Sequence, residues 1–95
     1  MKVGVLTIRL HIPGNNSLKG KRMVVKSIKD RVRHHFNVSI AEVAEHDLWQ
    51  VASLGVAFVS NDHRYLDEVL CKVTDMVRSC RNADLIDHHM EILNV

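Results

Sequence analysis

Five basic residues recur at intervals of three and four in the first half of the chain: Lys19, Arg22, Lys26, Lys29 and Arg33. In an α-helix, this spacing places the five side chains in one stripe about a quarter-turn wide, which we call the basic stripe. Such a row of ammonium and guanidinium groups can bind the phosphates of a nucleic acid, a contact that needs charge and no aromatic residue. The alternative interpretation is a solvated helix face whose charges keep the protein soluble.

The start of this predicted helix adds further positive charge. Ser17 is a favourable N-cap residue, so Lys19, Lys21 and Arg22 lie in or near the first turns. Exposed cations there oppose the helix dipole, at a cost of roughly 0.3–1 kcal/mol each. Gly20 stands where an acidic residue would complete a capping box. Free backbone N–H groups and three cations together predict an anion site at this end of the helix.

A second chemically competent group alternates with apolar residues in the first and last predicted strands: Arg9, His11, Asp87, His89 and Glu91. Imidazole and carboxylate groups can bind a metal ion or transfer protons. No HxxxH or HExxH spacing accompanies them, and a solvated sheet face with an arginine paired to an acid across strands gives the same alternation. We therefore assign no catalytic residue, metal ligand or cofactor, and favour a protein that is not an enzyme over a metal-dependent enzyme.

Composition limits the classes of protein to which the chain can belong. Its 95 residues are 46% hydrophobic and 25% charged, which is typical of a single globular domain over residues 1–95. The formal net charge is only +2, so affinity for nucleic acid must come from local clusters of charge. The two cysteines, at positions 71 and 80, match no metal-binding spacing, and unpaired thiols favour the reducing cytoplasm. Neither a signal peptide nor an apolar run of about 20 residues is found.

Hydrophobic periodicity predicts six elements in the order β-α-β-β-α-β. The strands are predicted at residues 2–12, 37–46, 50–60 and 84–93, and the helices at residues 17–36 and 62–81. Two right-handed βαβ units in this order predict an α+β, ferredoxin-like sandwich, in which both helices cover one face of a four-stranded antiparallel sheet. The expected strand order is 4-1-3-2.

The helices must bury their apolar stripes against one face of this sheet. In the first helix, that stripe consists of Leu18, Val24, Val25, Ile28, Val32 and Phe36. The sheet residues predicted to face the helices include Leu6, Ile8, Leu10, Ile86, Met90 and Ile92. Gly55 and Ala57 are predicted on the same side, where small residues permit a helix to approach closely.

The opposite, open face of the sheet is then predicted to carry an apolar half made of Val3, Val5, Leu54, Val56 and Phe58. A contiguous exposed apolar patch indicates a surface that binds another protein, so a homodimer or a docking module is one interpretation. Loops folded over the patch, or a third strand whose register is shifted by one residue, would explain the pattern equally well.

The predicted topology is also that of RNA-recognition motifs, which stack bases on aromatic residues of the two central strands. Here the first strand has no aromatic residue and the third offers only Phe58, in a chain that is 4% aromatic. Base stacking on the sheet is therefore not expected, whereas phosphate contacts from the first helix remain compatible with the sequence.

Four segments of the chain are distinctive: SLKGKR, FNVSIAEV, DLWQ and SND, which begin at residues 17, 36, 47 and 60. Through these segments, and along nearly the whole chain, the sequence resembles the YlxP-like family of small bacterial proteins of unknown function. The resemblance implies a ferredoxin-like fold. It also implies an RNA or ribosome context, because the family's genes often lie beside those for translation initiation and ribosome maturation. Gly20 departs from the family pattern, in which an acidic residue is usual.

These observations favour a cytoplasmic accessory protein that binds structured RNA, a ribosome or another ribonucleoprotein. The predicted phosphate ligands are Lys19, Lys21, Arg22, Lys26, Lys29 and Arg33. The alternative is a homodimer or protein-docking module that uses Val3, Val5, Leu54, Val56 and Phe58. Neither interpretation involves a cofactor, a membrane or a small-molecule substrate.

Overall fold

The computed structural model describes all 95 residues. They form four strands and two helices joined by turns and loops. The strands are β1 (Lys2–His11), β2 (Ser39–Ala44), β3 (Val51–Ser60) and β4 (Asp84–Asn94), and the helices are α1 (Leu18–His35) and α2 (His63–Arg78). The strands form one antiparallel sheet in the order β2-β3-β1-β4, which is the predicted order viewed from the other edge. The prediction of a ferredoxin-like βαββαβ fold is confirmed.

Both helices begin where the sequence provides a capping side chain. The Ser17 hydroxyl accepts a hydrogen bond from the backbone N–H of Gly20 at 3.0 Å, and the Asp62 carboxylate accepts two from the start of α2. α2 ends at Arg78 rather than at residue 81, and after Arg78 the Ser79 hydroxyl donates back to the Met76 carbonyl and the chain tightens to an i→i−3 hydrogen bond from the Cys80 N–H to the Val77 carbonyl. No helix combines the length and the apolar composition that crossing a membrane requires.

The core lies between the two helices and the face of the sheet that they cover, which we call the inner face. α1 contributes Val25, Ile28 and Val32, each at most 3% exposed, from the stripe that its sequence predicts. α2 approaches β1 closely at Gly4, where a Cβ atom would lie 2.8 Å from Leu70 Cδ1. The absence of a side chain at this position therefore sets how near α2 can pack.

The predicted register of β3 is wrong by one residue. Leu54 lies directly opposite Ile8, and Val56 opposite Leu6, and residues directly opposite each other in a sheet point to the same face. All four side chains are at most 2% exposed and belong to the core. Phe58 also faces the helices, where its ring packs edge-on against Tyr65 at a centroid distance of 5.7 Å. Leu54, Val56 and Phe58 are therefore core residues rather than a docking surface.

The small residues of β3 consequently lie on the open face instead of the inner one. Gly55 leaves room there for Val43, since a Cβ atom on Gly55 would lie 2.8 Å from Val43 Cγ1. Both sides of β3 are apolar, so the alternation of its sequence does not distinguish the face that packs on the helices.

A second prediction fails in β4, where Ile86 is 49% exposed rather than inward-facing. The pairing of β1 with β4 shifts between Arg9 and Leu10, so that Leu10 lies opposite Leu85 and Ile86 has no partner in the register. This β-bulge changes the side to which the strand's residues point. Beyond the bulge, Met90 and the other residue predicted to face the helices, Ile92, lie opposite inner-face positions of β1 and are half-buried.

Truncating a core side chain of β3 tests its register. Leu54→Ala should lower the free energy of unfolding by about 2–5 kcal/mol, because it leaves a cavity under the helices. Val59→Ala, on the same strand but 58% exposed on the open face, should change it by no more than about 0.5 kcal/mol. Urea denaturation followed by circular dichroism measures both values. A larger loss for Val59→Ala than for Leu54→Ala would restore the register predicted from sequence.

Candidate nucleic-acid interface

The basic stripe lies on the outer side of α1, beside the edge strand β2. Four of its five side chains are exposed and Lys29 is half-buried. Lys19, Arg22 and Lys29 form no hydrogen bond or ion pair with any side chain, although the chain carries 11 acidic residues. Three of the five cations of the stripe therefore present positive charge that the protein itself does not neutralise.

The C-terminal part of the stripe is partly neutralised by Asp30. Lys26 Nζ lies 2.7 Å from the Asp30 carboxylate, and Arg33 Nη1 lies 4.0 Å from it. The hydrogen bond from Lys26, together with the neighbouring cations, holds the pKa of Asp30 below its usual value. Arg33 also donates a hydrogen bond of 2.9 Å to the backbone carbonyl of Ile40 in β2. These two cations are thus less available to a ligand than Lys19 and Arg22.

Lys21 is a core residue, and its prediction as a phosphate ligand is wrong. Its side chain is 2% exposed, and its Nζ donates to the backbone carbonyl of Glu45 at 2.6 Å. The same ammonium lies 2.8 Å from Glu42 Oε2 and forms an ion pair with it, without a hydrogen bond to that oxygen. The spacing of position 21 from Val25 and Ile28 is that of the buried stripe, and this signal locates Lys21 correctly.

The loop before α1 covers one side of the helix start. The Asn15 amide donates hydrogen bonds to the backbone carbonyls of Ser17 and Trp49. Its Oδ1 then sits where a side chain on Gly20 would be, so a Cβ atom at Gly20 would collide with it. Glycine at position 20 is what permits this arrangement. The anion site predicted at the helix start thus has a protein oxygen beside it rather than an open approach.

An ion pair on the open face involves a residue that sequence analysis did not single out. Arg9 binds the Glu45 carboxylate with Nη2–Oε1 and Nε–Oε1 distances of 2.7 and 3.1 Å, and the Ser53 hydroxyl donates to Glu45 Oε2 at 2.6 Å. The hydrogen bond from Arg9, followed by that from Ser53, lowers the pKa of Glu45, and the hydrogen bond to Glu45 raises the pKa of Arg9. Asp87 lies opposite Arg9 in the register but does not form the ion pair, so the acid that pairs with Arg9 comes from the β2–β3 hairpin rather than from β4.

Glu45 has a φ of 61° in the hairpin between β2 and β3, which turns its side chain onto the open face and its carbonyl toward Lys21. This left-handed turn is not predictable from the residue types, because residues 45–50 include no glycine or asparagine. No three histidine, cysteine, aspartate or glutamate side chains come close enough to hold a metal ion. The group of Arg9, His11, Asp87, His89 and Glu91 is thus dispersed along the open face around one ion pair.

The open face does carry apolar residues, with a composition different from the one predicted. Val3 lies between Val59, 58% exposed, and Leu93, 40% exposed, while Val5 lies opposite Ala57. We call these five residues the apolar patch. Of these five residues, only Val3 and Val5 were predicted from the sequence to lie on the open face.

Comparison with known proteins identifies a family. The model of a family described as "Protein of unknown function (DUF503)" matches residues 3–90. A curated relative, "Uncharacterized protein YlxP" of Bacillus subtilis, is 43% identical over 63 residues, which span 66% of this chain and 68% of that protein.

Solved structures share the architecture at low sequence identity. The de novo designed protein Foldit4 is 11% identical, with a TM-score of 0.56 over 100% of this chain and 99% of the design. SnoaB, a cofactor-independent oxygenase from Streptomyces nogalater, is 12% identical, with a TM-score of 0.54 over 99% of this chain and 92% of that one. At these identities the likeness concerns the fold alone.

Removing the buried ammonium tests its structural role. Lys21→Met should lower the free energy of unfolding by about 3–5 kcal/mol, because Glu42 keeps a largely buried charge without a counter-ion. Lys19→Met, an exposed lysine two residues away, should change it by no more than about 0.5 kcal/mol. Combining Lys21→Met with Glu42→Met should recover much of the loss. Equal urea midpoints for Lys21→Met and Lys19→Met would show that the ion pair contributes no net stability.

Proposed function

The chain belongs to DUF503, a family of proteins of unknown function, and we propose that it is an accessory protein that binds structured RNA or a ribonucleoprotein through the basic stripe. The supporting observation is that three of the five cations of the stripe, Lys19, Arg22 and Lys29, have no acidic partner, the first two of them exposed on α1. Cations left unpaired in a chain of net charge +2 form a local positive surface.

The dimensions of the stripe suit a phosphate backbone. From Lys19 to Arg33 it extends for about 20 Å along α1, at about 1.5 Å per residue. Successive cations differ in angle around the helix axis by less than a quarter-turn, so they all point to the same side of α1. The stripe can therefore contact several phosphates of one strand, or of a duplex groove, at once. Lys19, Arg22 and Lys26 are exposed to solvent, whereas Lys29 is half-buried and Arg33 donates to the Ile40 carbonyl of β2.

Contacts to phosphates rather than bases are supported by the position of the aromatic residues. β1 contains none, and Phe58 of β3 packs under α2 against Tyr65 instead of standing on the open face. A stacking platform of the RNA-recognition-motif type therefore has no residues to form it. Binding of this kind is weakly sequence-specific and strongly dependent on salt. A cytoplasmic location is part of the proposal, because both cysteines are unpaired.

Charge reversal at the unpaired cations tests the proposal. In the triple variant Lys19→Glu, Arg22→Glu and Lys29→Glu, the slope of log affinity against log salt for a structured ribosomal RNA fragment should fall by about 2–3, for three lost phosphate contacts. Filter binding or fluorescence anisotropy over a salt series measures this slope.

A matched control separates the stripe from net charge. Reversing Arg64, Lys72 and Arg78 on α2 changes the net charge equally, and all three are exposed and outside the stripe. This control variant should retain most of the affinity, and circular dichroism should show both variants folded. Equal loss of affinity in the two triple variants, or no loss in the first, would contradict binding through the stripe.

A second candidate function is homodimerisation through the apolar patch. It is supported by the exposure of Val59 and Leu93 on either side of Val3, which leaves contiguous aliphatic surface in water. A two-fold axis through the patch would bury the same residues of both copies, as closed dimers require.

Sedimentation equilibrium tests this candidate. The protein should sediment as a dimer at micromolar concentration, and Val59→Glu should convert it to a monomer, because a charge would be buried in the interface. Met23→Glu, at a residue 65% exposed on α1, should leave the dimer intact. A monomer throughout the concentration series would eliminate the candidate.

A further inference from the structure

We propose that a cleft between α1 and the turn after α2 binds the phosphate or diphosphate group of a small ligand through Arg31 and Arg81. The cleft has a volume of about 490 Å³, within the range of small-molecule sites. α1 lines it with Ser27 and Arg31, and the turn lines it with Ser79, Cys80, Arg81 and Asn82.

The cleft is separate from the surface assigned to RNA. Arg31 lies roughly 160° around the helix axis from the centre of the basic stripe, at 100° per residue. The stripe faces outward beside β2, whereas Arg31 faces α2 and approaches the Cys80 sulfur at 3.9 Å. The basic stripe and Arg31 thus lie on opposite sides of α1, with the core-facing surface of the helix between them in one direction and its solvent-facing surface in the other.

The lining of the cleft favours an anion. No aspartate or glutamate lines it, and two adjoining cavities that share Asn82 with it also contain none. Arg81 makes no hydrogen bond or ion pair, and Arg31 contacts only the Cys80 sulfur, whereas Arg9, Arg33 and Arg78 are all close to carboxylates.

The chemistry of the donors favours a phosphate. Two guanidinium groups each offer paired N–H donors, which suits the several oxygens of a phosphate better than a single-oxygen acceptor. The Ser27 hydroxyl and the Asn82 amide have no partner within the protein and add neutral donors at the walls.

The end of α2 does not oppose this charge as strongly as a free helix C-terminus would. Its last carbonyls already accept hydrogen bonds from the Ser79 N–H, the Ser79 hydroxyl and the Cys80 N–H. The partial negative charge of the helix end is therefore engaged by the backbone that follows it.

The two cysteines provide an internal test. Cys80 lines the cleft, whereas Cys71 is exposed on α2 outside it, where desolvation and the carboxylates of Asp67 and Asp75 raise its pKa. Inorganic pyrophosphate should slow the alkylation of Cys80 by iodoacetamide, a neutral reagent, and leave the rate at Cys71 unchanged. Mass spectrometry of the two peptides measures both rates in one sample of the whole protein.

Glutamine variants assign the effect to the arginines. Arg31→Gln and Arg81→Gln should each weaken pyrophosphate binding by about tenfold or more, as expected for a lost charge-assisted hydrogen bond. Arg78→Gln, at the same end of α2 but outside the cleft and paired with Asp75, should bind pyrophosphate as the unaltered protein does. Isothermal titration calorimetry measures the affinities.

The outcomes are distinguishable from those of RNA binding. Retention of RNA by the Arg81→Gln variant, with loss of pyrophosphate binding, would establish the cleft as an independent site. Alkylation of Cys80 that pyrophosphate does not slow, or an equal loss of affinity in Arg78→Gln and Arg81→Gln, would overturn the proposal.

Discussion

The arrangement of the molecule depends on a single buried ammonium group. Lys21 ties the first turn of α1 to the hairpin between β2 and β3, through the Glu45 carbonyl and the Glu42 carboxylate. The side chain of Glu45 continues the connection to Arg9 on the other face of the sheet. A charge so deeply buried is tolerated only where it is paired, so α1 cannot rotate or slide without leaving Lys21 uncompensated. The outward direction of the basic stripe follows from this constraint.

The fold was predictable because the order and periodicity of the elements leave few topologies that bury both helices on one sheet. The face of the sheet to which each strand residue points was less predictable. Leu54 and Gly55 belong to a strand that is apolar on both sides, so only contacts distant in sequence select its inner face. The outward orientation of Ile86 depends on a β-bulge, and the position of that bulge is determined by the pairing of β4 with β1. Lys21 was misplaced because its charge outweighed a spacing that indicated burial, whereas the exposed position of Lys19 followed directly from the helical pattern.

The distribution of charged side chains in this protein is more informative than its net charge. With a net charge of +2 the chain is almost balanced, and five of its 11 acidic residues form ion pairs with nearby cations, as Glu68 does with Lys72 and Asp75 with Arg78. Of the seven cations that have no such partner, five lie on α1 or in the turn that faces it: Lys19, Arg22, Lys29, Arg31 and Arg81. Unpaired positive charge is therefore concentrated where α1 meets solvent and where α1 meets the turn after α2.

The contact between Asn15 and Gly20 has a consequence for how this sequence can change over evolutionary time. A side chain at position 20 would displace the Asn15 amide and break its two hydrogen bonds, at a cost of about 1 kcal/mol each. Glycine at position 20 becomes costly to replace once asparagine is settled at position 15, so the two sites are epistatic. An acidic residue introduced at position 20 would require Asn15 to adopt another orientation or to be replaced as well.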